Sequence, residues 1–105
     1  MVFQLSYSSA AVRPLSHGAL VDLLEQSRAD NVARRVTGML LYRGGEFVQI
    51  LEGTRSDVES LMEIIGRDPS HEDVRVLIEE PLHERRFAEW TMGYQSLVAA
   101  EPKPA

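Results

Sequence analysis

The 105-residue chain has no cysteine, which removes a disulfide framework, a thiolate metal site, a cysteine nucleophile and any cofactor bonded to a protein thiol. Lysine occurs once, at Lys103 in the Pro-rich end Glu101–Ala105, a poor place for a buried Schiff base. The histidines, His17, His71 and His83, are scattered without metal-ligand spacing, so no metal site is expected. Any cofactor is therefore expected to be held non-covalently. Basic residues are also few, 11 against 16 acidic ones, for a net charge of −5. That balance argues against tracking nucleic-acid phosphates or anionic lipid. No apolar run approaches the roughly 18 residues of a membrane span. Met1–Ala19 lacks the basic start and apolar stretch of a secretory signal. The expectation is a soluble cytoplasmic domain with neither nucleic acid nor membrane as partner.

What remains is a globular balance, 44% hydrophobic and 26% charged, in a length that suits one domain. In Val2–Ser8 the residues Phe3, Leu5 and Tyr7 alternate with polar ones, the period of a strand. Ser16 is a candidate N-cap for a first helix carrying Leu20, Leu23, Leu24 and Ser27, with Asn31 continuing the same face. Thr37–Tyr42 and Glu46–Leu51 read as strands around the tight turn Arg43-Gly44-Gly45. Ser56 and Glu59 have capping-box spacing ahead of a stripe of Val58, Leu61, Met62 and Ile65, with the helix ending near Gly66. Val74–Glu80 reads as a fourth strand stopped by Pro81, and Trp90–Leu97 as a short fifth. The expected class is α+β: a ferredoxin-like βαββαβ(β) order with a five-stranded mixed sheet and two helices on one face. One domain spans residues 1–97, and 98–105 form a flexible C-terminal tail.

Three polar residues break the apolar pattern. Tyr7 shares the inward face of the first strand, and Gln49 shares the Phe47 and Leu51 face of a strand expected to be buried. Asn31 lies on the sheet-facing side of the first helix, close to Ser27; by itself it reads as a helix C-terminal cap or turn residue. A buried amide without a partner costs about 1–3 kcal/mol, so these groups need partners inside. Together they describe a polar-lined slot between two helices and a sheet.

These residues resemble the BLUF domains, blue-light sensors using FAD, over about Val2–Leu97. The resemblance rests on Leu5-Ser6-Tyr7-Ser8-Ser9, on Ser27–Asn31 leading into Val36–Tyr42, and on Phe47-Val48-Gln49-Ile50-Leu51-Glu52-Gly53. Arg67–His71 and the run Phe87–Met92 add to it. It implies that Tyr7 donates an electron and a proton to a photoexcited flavin, and that Gln49 is the amide between that phenol and the ring. It further implies that Asn31 binds the ring's polar edge with Ser27 nearby. Asp68 and His71 would contact the ring or its ribityl chain, and Trp90 and Met92 would relay the change. The cofactor implied is FAD, with FMN as the alternative. Ile64 and Asp30 depart from residues that several members carry near the flavin.

A glutamine suits this role because its amide presents an acceptor and two donors on one rotatable plane. The reading is a photosensor rather than an enzyme, passing its signal to a downstream protein or a fused output domain, and self-associating. Two rivals share the fold. One is an acylphosphatase-like hydrolase built on Arg13 and Asn31; the other is a colourless binding or dimerisation module. The hydrolase lacks a Gly-rich phosphate loop after Arg13 and accounts for neither Tyr7 nor Gln49.

Overall fold

The structure, a computed structural model, describes residues 2–13, 15–88 and the backbone of 93–96. Seven elements follow one another: β1 (Val2–Ala11), α1 (His17–Ala33), β2 (Thr37–Arg43), β3 (Glu46–Gly53), α2 (Arg55–Arg67), β4 (His71–Leu82) and β5 (Gly93–Ser96). The first four strands form an antiparallel sheet in the order β4-β1-β3-β2, and the β5 backbone runs parallel to β2 at its outer edge. Because α1 carries the chain from β1 across to β2, the hairpin returns β3 into the space between them. That is the split arrangement expected from the element order.

The β1/β3 ladder sets the register of the site. Leu5 pairs with Leu51, Tyr7 with Gln49 and Ser9 with Phe47, while Leu40 of β2 pairs with Gln49 from the other side. Since strand side chains alternate between faces, this register stacks Phe3, Leu5, Tyr7, Phe47, Gln49 and Leu51 on one surface. Leu20 and Leu24 of α1 and Val58 and Leu61 of α2 join that same core cluster, so both helices cover one face of the sheet. The β2–β3 turn needs left-handed backbone at two successive positions. Gly44 and Gly45 supply it with φ of 56° and 85°.

The helix ends show where local rules held and where they slipped. The Ser16 hydroxyl accepts from the Ala19 amide at 3.1 Å, the expected cap of α1. For α2 the cap is Thr54, not Ser56: Thr54 is extended and its hydroxyl accepts from the Asp57 amide at 3.1 Å. Ser56 lies inside the first turn, and Glu59 instead faces Arg55 across the helix surface at 3.7 Å. Helix α2 also runs through Gly66 to Arg67, whose positive charge in the last turn suits the helix dipole. Asn31 does not cap α1; the helix continues to Ala33 with Arg34 as its C-cap. Strand β4 continues through Pro81 to Leu82, because it is a sheet edge where a missing N–H interrupts no second ladder. Of the expected fifth strand Trp90–Leu97, only Gly93–Ser96 fall among the described residues, and their backbone is extended.

Candidate functional site

A cleft of about 630 Å3, including its mouth, opens between α1, α2 and the covered sheet face. Its apolar wall includes Leu23, Leu40, Phe47, Leu61, Ile64 and Ile65. Its polar groups come from five elements or their ends: Tyr7 from β1, Gln26, Ser27, Asp30 and Asn31 from α1, Gln49 from β3, Asp68 at the end of α2, and His71 from β4. Helix α1 buries only Leu20, Leu24 and Asn31 along its 17 residues. It therefore meets the core at both ends and leaves the slot between.

Tyr7 and Gln49 form the floor. They are 3% and 5% exposed, and the phenol O–H donates to Gln49 Oε1. Their pairing follows directly from the β1/β3 register. Burial pushes the Tyr7 pKa well above its ordinary value, and the nearby Asp68 carboxylate pushes it further the same way. The phenol is thus neutral and holds its proton, which it donates to Gln49 Oε1. With Oε1 turned to Tyr7, the donor end of the same amide is Nε2. Asn31 is 1% exposed on the α1 wall of the cleft.

His71 sits edge-on to Tyr7, ring centroids 6.4 Å apart. Its Nε2 lies 2.5 Å from the Ile65 carbonyl and its Nδ1 2.9 Å from the Ser9 hydroxyl. A carbonyl only accepts, so Nε2 carries a proton toward Ile65, while Nδ1 shares a hydrogen bond with the Ser9 hydroxyl. Both ring nitrogens are thereby engaged with protein atoms, and His71 acts on the cleft through its ring. Asp68 Oδ1 accepts from the Ser70 amide at 2.9 Å, a local turn that aims the carboxylate along the cleft rim. Asp30 Oδ1 accepts from Gln26 Nε2 at 3.2 Å.

The cleft gathers all six residues that the sequence nominated for a ligand: Tyr7, Ser27, Asn31, Gln49, Asp68 and His71. Trp90 and Met92 lie outside the described residues. A slot with apolar walls and a few polar groups at one end suits a flat heterocycle with one hydrogen-bonding edge. Tyr7, Gln49 and Asn31 would meet the polar edge, with the leucines and isoleucines on the faces. The residues present fit a flavin.

A family model described as "Sensors of blue-light using FAD" matches residues 2–93. The chain belongs to the BLUF family. A photoactivated adenylate cyclase subunit beta from Euglena gracilis is 39% identical over 89 residues, covering 84% of the BLUF chain and 10% of the cyclase subunit. Among solved structures, a bacterial light-regulated adenylyl cyclase superposes with a TM-score of 0.91 at 31% identity, covering 97% of this chain and 30% of that one. BlrP1 of Klebsiella pneumoniae, solved with FMN and cyclic diGMP, superposes with a TM-score of 0.84 at 35% identity, covering 93% and 26%. The chain thus spans about a tenth of the length of the curated relatives it matches. BLUF domains sense blue light with a flavin, and these relatives join that sensor to output domains such as cyclases. No helix among the described residues is long and apolar enough to cross a membrane.

Sequence reasoning gave no role to Gln26 and Ser70 at the rim, to Ser9 behind His71, or to Gln4, Glu52 and Arg85. Gln4 and Glu52 form a buried polar pair on the sheet face away from the cleft, and the half-buried Arg85 donates to the Glu52 carbonyl beside it. Glu52 carried a signal: a carboxylate is almost never fully buried unless paired, and Glu52 continues a strand whose neighbours are apolar.

Proposed function

We propose that this BLUF domain senses blue light through the hydrogen bond between Tyr7 and Gln49, with non-covalently bound FAD as chromophore. Residues 1–97 form the sensor, and the tail expected at 98–105 lies outside the described residues. The observation that carries this reading is the buried phenol donating to a buried carboxamide at the floor of the cleft between the helices and the sheet. When bound, a flavin supplies blue-light absorption and, once excited, a ring that accepts an electron.

Tyr7 is the donor. A neutral phenol that loses an electron becomes strongly acidic, and Gln49 Oε1 already stands as acceptor for its proton. When electron and proton return, Tyr7 is again the neutral phenol, and the Gln49 amide has turned or changed tautomer. No charge moves permanently, so the product is an isomer of hydrogen bonds. Asn31, with Ser27, would hold the ring by its polar edge, while Asp68 and His71 would contact the ring or its ribityl chain. FMN, the flavin in the BlrP1 structure, has the same ring and would meet the same residues.

A switched hydrogen bond is worth only about 0.5–1.5 kcal/mol, against roughly 5.5 kcal/mol for a full inversion of a two-state population. The output is therefore a modest bias in packing, relayed through Trp90 and Met92 and the fifth strand. It is read by a fused output domain or a downstream protein; the sensor chain itself self-associates, is not an enzyme and works in the cytoplasm. Blue light should shift the flavin band of the purified yellow protein reversibly to the red without bleaching it. A colourless protein, or bleaching to a stable reduced or adduct spectrum, would refute the reading.

A further inference from the structure

The β1/β3 ladder carries a second cross-strand side-chain bond on the face opposite the cleft. Gln4 pairs with Glu52 just as Tyr7 pairs with Gln49, three residues along both strands. Gln4 Nε2 donates to Glu52 Oε2 at 2.8 Å. Glu52 is fully buried, and its carboxylate also accepts from the backbone amides of Arg86, at 3.1 Å on Oε2, and Phe87, at 2.8 Å on Oε1. Beside it, the Arg85 guanidinium donates to the Thr37 hydroxyl at 3.0 Å, the Glu52 carbonyl at 3.2 Å and the Arg35 carbonyl at 2.6 Å. The chain just after β4, leading toward Trp90 and Met92, is therefore fastened to the two strands that hold the photochemical pair.

From this geometry we propose that Glu52 is a positioning residue that couples Tyr7–Gln49 to the segment Arg85–Phe87; the proposal rests on the function assigned above. A small shear of β1 against β3 that accommodates a turned Gln49 amide also changes the Gln4–Glu52 distance. The carboxylate has few ways to absorb that change. Its oxygens are already shared among one side-chain and two backbone donors, and a buried charge holds its donors tightly. Movement at the bridge is passed to the Arg86 and Phe87 amides rather than lost to solvent.

The test is amide exchange at Arg86 and Phe87 in the flavin-loaded chain, in darkness and under blue light, with the flavin spectrum recorded on the same sample. Illumination should change exchange there by roughly threefold to tenfold, the range of one net hydrogen bond. In Glu52→Gln a donor-bearing amide faces two backbone N–H groups, and the light-dependent difference should vanish while the red shift persists. Gln4→Met, which leaves the carboxylate and both backbone donors in place, covers the case in which Glu52→Gln does not fold. It should keep dark protection near wild type and lose the light-dependent difference. A merely structural role would raise exchange equally in darkness and light. Wild-type-sized light dependence in either variant with an intact red shift overturns the coupling, as does a wild-type red shift without any exchange change. Absence of the red shift in the wild type instead overturns the underlying function, and the coupling with it.

Discussion

Removing the Tyr7 hydroxyl isolates the bond on which the site is built. In Tyr7→Phe the ring still fills its place among Leu5, Phe47 and Leu51, so the apolar area buried is nearly unchanged. What is lost is the donor to Gln49 Oε1, in a residue only 5% exposed. Leaving such an acceptor without its donor costs about 1–3 kcal/mol. Gln49→Leu makes the reciprocal defect, a buried phenol without its acceptor, at a similar cost. When both groups are replaced together neither polar atom is stranded, and such double replacements are close to neutral. The double variant should therefore be destabilised by clearly less than the sum of the singles, with a coupling of about 2–6 kcal/mol, since each single strands one group at about 1–3 kcal/mol. Urea unfolding of the four flavin-free proteins measures this directly. Thermal midpoints should follow at about 4–8 °C per kcal/mol for a domain near this size. Additivity within about 0.5 kcal/mol, the scatter expected of independent sites, would refute the claim that the two side chains act as a pair.

Two further outcomes follow from burial and binding. Because the folded-state Tyr7 pKa lies above its unfolded value of about 10, the folded chain retains a proton that the unfolded chain releases. This contribution is fully present below pH about 10 and is lost as pH rises from there toward the folded pKa; titrating stability across alkaline pH should show the loss in wild type and its absence in Tyr7→Phe. Stripping the flavin should lower the unfolding midpoint, since a ligand at a hundred times its Kd adds about 2.7 kcal/mol; an unchanged midpoint in calorimetry would mean that no flavin had occupied the cleft.

Much of the site was legible because it depends on alternation and register. Phe3, Leu5 and Tyr7 on one face, a glycine turn, and Phe47, Gln49 and Leu51 on another bring the phenol to the amide once the two strands pair. Gln49 stood out because glutamine is mostly exposed in folded proteins. The misreadings arose where sequence leaves two equal choices or where tertiary context decides. Thr54 and Ser56 are both capping residues, and only the backbone turn at Thr54 selects between them. Pro81 stops a central strand but not an edge strand, and being the edge is a property of the whole sheet. Glu52 was least legible: its donors on Arg86 and Phe87 lie 34 and 35 residues away, beyond the reach of any local pattern.

The light-minus-dark absorption spectrum of Gln49→Leu, recorded beside wild type at equal flavin occupancy, tests the central claim most directly. A leucine fills the same place without an amide to turn. The variant should bind flavin and absorb blue light yet show no red-shifted product, whereas wild type shows it and recovers in the dark. A red shift of wild-type size and reversibility in Gln49→Leu would contradict the account.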